Sequence, residues 1–233
     1  MKVAVIPARG GSQRIPRKNI KLFCGKPMIA WSIEAALASQ CFERVWVSTD
    51  DAEIAEVARA YGAEVPYIRP ADLSDHHTGT IPVIAHAIEW GHLHKMEISA
   101  VCCIYATAPL IDPYDLKNAL DVLNQTKSDY VFTATSYAFP IQRAFSINEQ
   151  QGIEMFDAKQ FNTRSQDLVE AFHDAGQFYW GQPAAWVGNK PIFSRESRAF
   201  ILPRYRVQDI DTAEDWTQAE LMFRQLQLRN AAE

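Results

Sequence analysis

Apolar and polar positions along the first half of the chain alternate between short, continuously apolar runs and longer stretches with helical periodicity. The run Val3-Ala4-Val5-Ile6 has the length and continuity of a strand buried on both faces, which places a strand at residues 2–7. Residues 27–39 follow as a helix with Ile29, Ile33, Ala36 and Leu37 on one buried stripe. A strand at 44–48 leads into a second helix, for which Asp50 or Asp51 is the cap and Ile54, Val57, Ala58 and Tyr61 the apolar face. A short strand near 64–68, a helix over 80–94 with Ile81, Ile84, Ala85 and Ile88 in register, and a strand at 99–105 come next. A helix over 113–124 carrying Leu116, Leu120 and Leu123 and a strand at 129–135 complete the series. Strands alternating with helices predict an α/β fold: a mostly parallel sheet covered by helices on both faces.

The rhythm lapses from about 137 to 185, where the chain is aromatic, polar and rich in turns. This segment is expected to be an insertion that carries substrate contacts and a subunit interface, making the protein a homodimer. The core is expected to resume over 186–211, and a last amphipathic helix with Trp216, Ala219, Phe223 and Leu226 on one face to pack back on the sheet. Residues 1–233 then make a single domain.

Composition narrows the function classes. A chain of 233 residues with 48% hydrophobic content can bury one substantial core. Its apolar runs, such as Ala100 to Tyr105, fall far short of the roughly 20 residues of a membrane span, and the first residues lack a secretion signal, so a cytoplasmic protein without membrane contact is expected. The net charge of −5 argues against coating a nucleic acid. Of four cysteines, Cys102 and Cys103 are strand neighbours pointing to opposite faces, which suits free, buried thiols.

Positive charge is instead concentrated just after the first strand, in Pro7-Ala8-Arg9-Gly10-Gly11-Ser12-Gln13-Arg14-Ile15-Pro16-Arg17-Lys18-Asn19. Adjacent glycines let backbone N–H groups approach phosphate oxygens, and Arg9, Arg14, Arg17 and Lys18 add full charges; the alternative is a hairpin of solvated cations. The loop is not a Walker P-loop, because its sole Gly-Lys pair, Gly25-Lys26, is followed by Pro27 and Ile20 stands where the first glycine is needed. Nor does it carry G-x-G-x-x-G, since Gly10 and Gly11 are adjacent. Near the other end, Asp209 and Asp211 lie two apart, so in an extended segment both carboxylates share a face with Ile210 buried behind, a spacing that suits Mg²⁺. Asp211 or Thr212 is equally well placed to cap the helix that follows.

The loop motif Ile6-Pro7-Ala8-Arg9-Gly10-Gly11-Ser12 with Ile15-Pro16-Arg17-Lys18-Asn19 resembles the signature of the cytidylyltransferases that activate nine-carbon keto-sugar acids, the CMP-sialic acid synthetase family. Val47-Ser48-Thr49-Asp50-Asp51, Arg69-Pro70-Ala71-Asp72-Leu73-Ser74, Thr107-Ala108-Pro109-Leu110 and Asp209-Ile210-Asp211-Thr212 fall in the family's order. Within the family, Phe139-Pro140-Ile141-Gln142-Arg143, Thr163-Arg164-Ser165-Gln166-Asp167, His173-Asp174-Ala175-Gly176-Gln177-Phe178-Tyr179-Trp180 and Pro203-Arg204-Tyr205-Arg206 are similar to the pseudaminic acid cytidylyltransferases.

The resemblance implies a Rossmann-like nucleotidyltransferase core in three α/β/α layers. It implies nucleotide contacts from Ala8, Arg9, Gly10, Gly11, Ser12, Lys18, Asn19 and Arg69, with Arg9, Lys18 and Asp211 catalytic and Asp209 and Asp211 holding Mg²⁺. It assigns the sugar acid to Arg164, and Tyr105, Gln142, Gln166, Asp174 and Gln177 offer further polar contacts. Gln13-Arg14 displaces by one residue a cation that many members carry right after the serine, and Tyr105 replaces the usual glutamine, which implies a changed sugar pocket. The implied reaction is CMP transfer from CTP to the anomeric hydroxyl of a nonulosonic acid, pseudaminic acid first. CMP-sialic or CMP-legionaminic acid synthesis is the alternative within the family, and a non-catalytic nucleotide-binding regulator the alternative outside it. His76-His77, His86, His92 and His94 lack metal-like spacing and read as surface or packing residues.

Overall fold

The computed structural model describes residues 1–230. A six-stranded sheet is built from β1 (Lys2–Pro7), β4 (Arg44–Ser48), β5 (Ala100–Ile104), β6 (Tyr130–Ser136), β9 (Phe172–Gly181) and β10 (Ser197–Ile201), in the order β10-β6-β9-β5-β1-β4. Two-residue strands β2 (Leu22–Phe23) and β3 (Lys26–Pro27) form a small hairpin, and β7 (Phe145–Ile147) pairs with β8 (Ile153–Met155) in a separate ribbon. Helices α1 (Met28–Ser39), α2 (Ala52–Ala60), α3 (Thr80–Leu93), α4 (Pro113–Thr126), α5 (Pro183–Val187) and α6 (Ala213–Asn230) complete the framework. Within the six-stranded sheet all pairings are parallel except those of β9, which runs antiparallel between β5 and β6.

Period-2 alternation divides the core. Ala4, Ile6 and Cys102 point to the face covered by α1, α2 and α4, while Val3, Val5 and Cys103 point to the face covered by α3 and α5. The two neighbouring thiols therefore lie in different layers, both buried and unpaired, as the strand reading requires. A third apolar cluster, Ile15, Phe23, Met28, Leu110, Ile210, Trp216, Ala219 and Phe223, lies apart from both sheet faces and joins the basic loop to the acidic segment.

Four sequence expectations change. Residues 172–185 are not part of the insertion: β9 is a central strand, and its run from Ala175 to Gly181 is nearly all buried, so the inserted arm ends at 171. The stretch 64–68 makes only isolated bridges, Trp46 with Glu64 and Thr49 with Ile68, because Pro66 between them has no N–H for a ladder. Leu37 is exposed at the rim of its helix, over the turn at Gly62. Helix α6 packs on the β2–β3 hairpin and α1 rather than on the sheet, with Trp216 and Phe223 edge-on to Phe23 at 5.4 and 5.6 Å. Both sheet faces are already covered, so its apolar stripe meets the third cluster instead.

Candidate active site

Strands β1, β4 and β5 run parallel, so the loops after them emerge together at one edge of the sheet, where open α/β sheets place ligands. A cleft of about 390 Å³ opens there, lined by Arg9, Ser12, Gln13, Arg14, Ile15, Lys18 and Asn19 from the basic loop. Tyr105, Ala106 and Thr107 after β5, together with His76 and Asp211, form its other walls. The cleft brings together cations and an acid almost two hundred positions apart. Lys18 Nζ donates to the Ile210 carbonyl and lies 3.3 Å from Asp211 Oδ1, and Arg14 NH2 meets Asp211 Oδ2 at 2.9 Å. Buried Ile15 and Ile210 are the apolar anchors of this junction.

The helix-capping alternative for Asp211 is resolved by geometry. Thr212 and Asp215 form a reciprocal capping box: Thr212 Oγ1 accepts from Asp215 N–H at 3.2 Å, and Asp215 Oδ2 accepts from Thr212 N–H at 2.7 Å. Asp211 gives only its backbone N–H to Asp215, so its carboxylate faces the cleft cations. Asp209 and Asp211 also line an adjoining cleft with His173, Asp174 and Asp215. Partial desolvation, then the charge of Asp211, raises the Asp209 carboxyl above its ordinary value, while Lys18 opposes the rise. Among the described residues no three His, Cys, Asp or Glu are grouped to hold a metal by themselves. Mg²⁺ needs only one or two protein carboxylates beside phosphate oxygens and water, so this donor pair fits it.

The loop is held by its own contacts. Asn19 Nδ2 donates to the Arg9 carbonyl at 3.0 Å, and Ala8, buried, donates its N–H to the Ser48 carbonyl at 2.9 Å. Gly10 N–H donates to Asp50 Oδ1 at 3.0 Å, and a Cβ on Gly10 would sit 2.6 Å from Asp51 Oδ2. Lack of a side chain at Gly10 thus serves packing against Asp51, whereas Gly11 is exposed. Asp51, the cap of α2, binds Arg17 in a two-pronged pair with bonds of 2.5 and 3.0 Å. That pair lowers the Asp51 carboxyl from an ordinary 3.8 to about 2, and Arg17 is drawn out of the cleft's lining.

Arg69 is 5% exposed and lines a smaller hollow of about 170 Å³ beside Arg9, Thr78 and Thr80. Its Nε donates to Ser74 Oγ at 3.1 Å, while NH2 lies 3.7 Å from Asp50 and has no hydrogen-bond partner. Burial lowers its pKa, with Asp50 countering.

Two expectations change here: His76, expected as a surface or packing residue, touches both Arg9 and Gln13 in the cleft, and Asp50, a candidate cap, leaves that role to Asp51 and joins the loop to Arg69. The order of residues holds no signal for either contact, since both depend on loops meeting across the sheet edge.

The residues assigned to the sugar acid divide. Tyr105 lines the main cleft, its hydroxyl 3.3 Å from Thr80 Oγ1, and Asp174 lines the adjoining one. Asp174 Oδ1 accepts from Gly176 N–H at 2.9 Å and Oδ2 accepts from the Tyr179 hydroxyl, fixing a bulge where Gly176 takes φ +62° against Asp209. Gln177 is buried and donates to the Arg206 carbonyl, so it ties the bulge to the chain leading into the acidic pair. Gln142, Arg164 and Gln166 are not brought to the cleft. Arg164 is exposed and pairs with Asp167 at 2.7 Å, Gln142 bonds the Val169 carbonyl, and Gln166 lines a separate hollow in the arm.

Comparison with known proteins gives this geometry a setting. The sequence profile of the Cytidylyltransferase family matches residues 3–223. Over 222 residues the chain is 47% identical to the pseudaminic acid cytidylyltransferase of Campylobacter jejuni subsp. jejuni serotype O:2, an alignment covering 95% of this chain and 96% of that one. It is 32% identical over 228 residues to the CMP-N,N'-diacetyllegionaminic acid synthase of Legionella pneumophila subsp. pneumophila, covering 95% of each. The solved structure of CMP:2-keto-3-deoxy-manno-octonic acid synthetase complexed with CTP superposes with a TM-score of 0.70 at 21% identity, covering 97% of this chain and 99% of that chain, a likeness of fold. With a profile match across nearly its whole length and a near-full-length relative sharing almost half its residues, the chain belongs to the cytidylyltransferase family.

Proposed function

We propose that the protein transfers CMP from CTP to the anomeric hydroxyl of a nonulosonic acid, specifically pseudaminic acid, and releases pyrophosphate. The observation that carries this reading is the cleft in which Arg9, Arg14 and Lys18 face Asp211 at the strand ends. The choice of sugar rests on similarity to the Campylobacter enzyme across the full alignment.

In this reaction the sugar oxygen attacks the α-phosphorus in line and the bond to pyrophosphate breaks, so negative charge grows on the equatorial and departing oxygens. Arg9 and Lys18 are already held in the cleft by contacts of their own, and donors fixed in advance stabilise such charge without reorganising. Asp209 and Asp211 would hold Mg²⁺, which supplies charge neutralisation at the phosphates when bound. Tyr105, against Tyr179 at 5.2 Å between ring centroids, walls the side of the cleft toward the sugar.

The arm supports a homodimer. Phe139 and Val169 are each 82% exposed, and Ile147, Ile153, Phe156 and Phe161 add further bare apolar surface within the same segment. Two copies meeting there would cover it. None of the described helices is long and apolar enough to cross a membrane, and a nucleoside triphosphate as cosubstrate makes the cytoplasm the compartment of this reading.

Pyrophosphate release from CTP, with Mg²⁺ and a panel of nonulosonic acids, tests the proposal. Preference for pseudaminic acid is expected; equal rates with N-acetylneuraminic or legionaminic acid would remove the choice of sugar. CTP binding without turnover on any of them would favour the non-catalytic reading.

A further inference from the structure

We propose that His76 is a positioning residue for the phosphate cleft, and that its neutral form presents Arg9 to the nucleotide. The inference rests on the CTP reading above but concerns a residue that the basic-loop motif does not contain. His76 lies in the loop before α3, outside the basic loop, yet its two ring nitrogens both engage that loop. Arg9 NH1 approaches His76 Nδ1 at 2.8 Å and donates to the neighbouring Asp75 carbonyl at 2.8 Å.

A guanidinium has only donors, so Nδ1 is the acceptor and the imidazole carries its hydrogen on Nε2. The Gln13 amide, 3.1 Å from Nε2, therefore meets it through oxygen, amide oxygen and nitrogen being interchangeable in placement. The result is a chain Arg9–His76–Gln13 across the mouth of the cleft, which pins the guanidinium at one end and the residue after Ser12 at the other.

Protonation breaks this arrangement in a definite direction. A hydrogen on Nδ1 would face a donor, and the imidazolium would add positive charge beside Arg9 in a cleft that also holds Arg14 and Lys18, against the single carboxylate of Asp211. On its own segment the neighbouring charges are His77 and Asp75, whose carboxylate is turned onto Thr78 and the His77 N–H. No carboxylate contacts the His76 ring among the described residues, so a proton there gains no partner. Arg9 is thus presented while His76 accepts at Nδ1 and released when that nitrogen carries a proton.

The experiment measures CTP affinity by calorimetry without sugar acid, and kcat and KM for both substrates, from pH 5.5 to 8.5 in wild type, His76→Ala and His76→Gln. At pH 8, His76→Ala is expected to weaken CTP binding about fivefold to tenfold and to lower kcat with it, leaving the sugar KM little changed, the scale of one lost charge-assisted contact. His76→Gln, whose amide oxygen can accept from Arg9, is expected to recover most of that affinity. On acidification wild type should lose CTP affinity more steeply than His76→Gln, which retains only the titration of the nucleotide itself. Unchanged CTP affinity in a folded His76→Ala variant, or the same acid limb in His76→Gln, would overturn the proposal. Tighter CTP binding by wild type at low pH would overturn it too, making His76 a direct cationic contact. Absence of CTP binding by wild type would instead overturn the nucleotide reading, and this inference with it.

Discussion

The basic cleft and the inserted arm are the two surfaces on which the proposed function draws, and they are built to opposite plans. In the cleft, each functional cation already has partners inside the protomer: Arg9 on Asp75 and His76, Lys18 on Ile210 and Asp211, Arg14 on Asp211. Apolar Ile15 and Ile210 lock the two chain segments together beneath them. In the arm, Arg164 is exposed with one acidic neighbour three residues away, and the arm's large apolar side chains are exposed as well. The cleft is pre-organised by the fold, and the arm has surface and charge without cover. Chemistry that needs fixed donors belongs to the first kind of region, while the second suits contacts completed from outside.

If the cleft is the pre-organised partner, its acid should be the most sensitive position. Asp211→Asn is expected to cut Mg²⁺-dependent pyrophosphate release at least about tenfold, because a neutral amide replaces an ionised oxygen ligand. The fold should survive, since Thr212 and Asp215 cap α6 without the Asp211 side chain. Near-wild-type turnover in a folded variant would erase the distinction between the regions.

Arg164→Lys probes the arm. Because Arg164 lies outside its own protomer's cleft, a rise of about fivefold in the KM for the sugar acid, with CTP affinity intact, is expected only through an arm brought to the cleft of a second copy, where a lysine would lose two-pronged recognition of a carboxylate. Equal loss toward both substrates would mean that the arm does not act on the sugar separately.

The bare apolar ribbon gives a sharper test of completion from outside. Replacing Ile147 and Ile153 together by aspartate is expected to shift the protein from dimer to monomer by light scattering, with little change in thermal stability, because both side chains are already exposed in the protomer. A protein that is monomeric before substitution would contradict the dimer.

The smallest effect concerns the scaffold behind the cleft. Asp51→Ala removes the cap of α2 and the Arg17 pair, and is expected to lower stability by about 1–2 kcal/mol in denaturant unfolding. Because the folded carboxyl is held near 2, below its ordinary 3.8, this pair stabilises above about pH 4 and its contribution is lost as pH falls from there toward 2. Wild type should therefore lose more stability than the variant over that acid range, and parallel curves would show that the pair contributes nothing.

How far the chain could be read without its structure depended on whether a feature is local. Strand β1, the helices α1, α3 and α4, and the opposed faces of Cys102 and Cys103 follow from periods of 2 and 3.6 residues. The basic loop and the Asp-x-Asp pair were visible as local concentrations of charge, and Ile210 between the acids was recognisable as the buried one. The polar, turn-rich stretch misled where it ended, because β9 is hidden in it: His173, Asp174 and Gln177 look like loop chemistry, yet the strand holding them is inserted antiparallel at the sheet centre.

What only the tertiary structure decided is which charges meet. The sequence by itself determined that cations follow the first strand and that two aspartates precede the last helix. It could not say that Lys18 and Arg14 face Asp211, that Arg17 is claimed by Asp51, or that His76 reaches Arg9 from another loop. Periodicity is a property of neighbours in the chain, whereas these contacts are set by parallel strands delivering distant loops to one edge and by a small apolar cluster that fixes the distance between them.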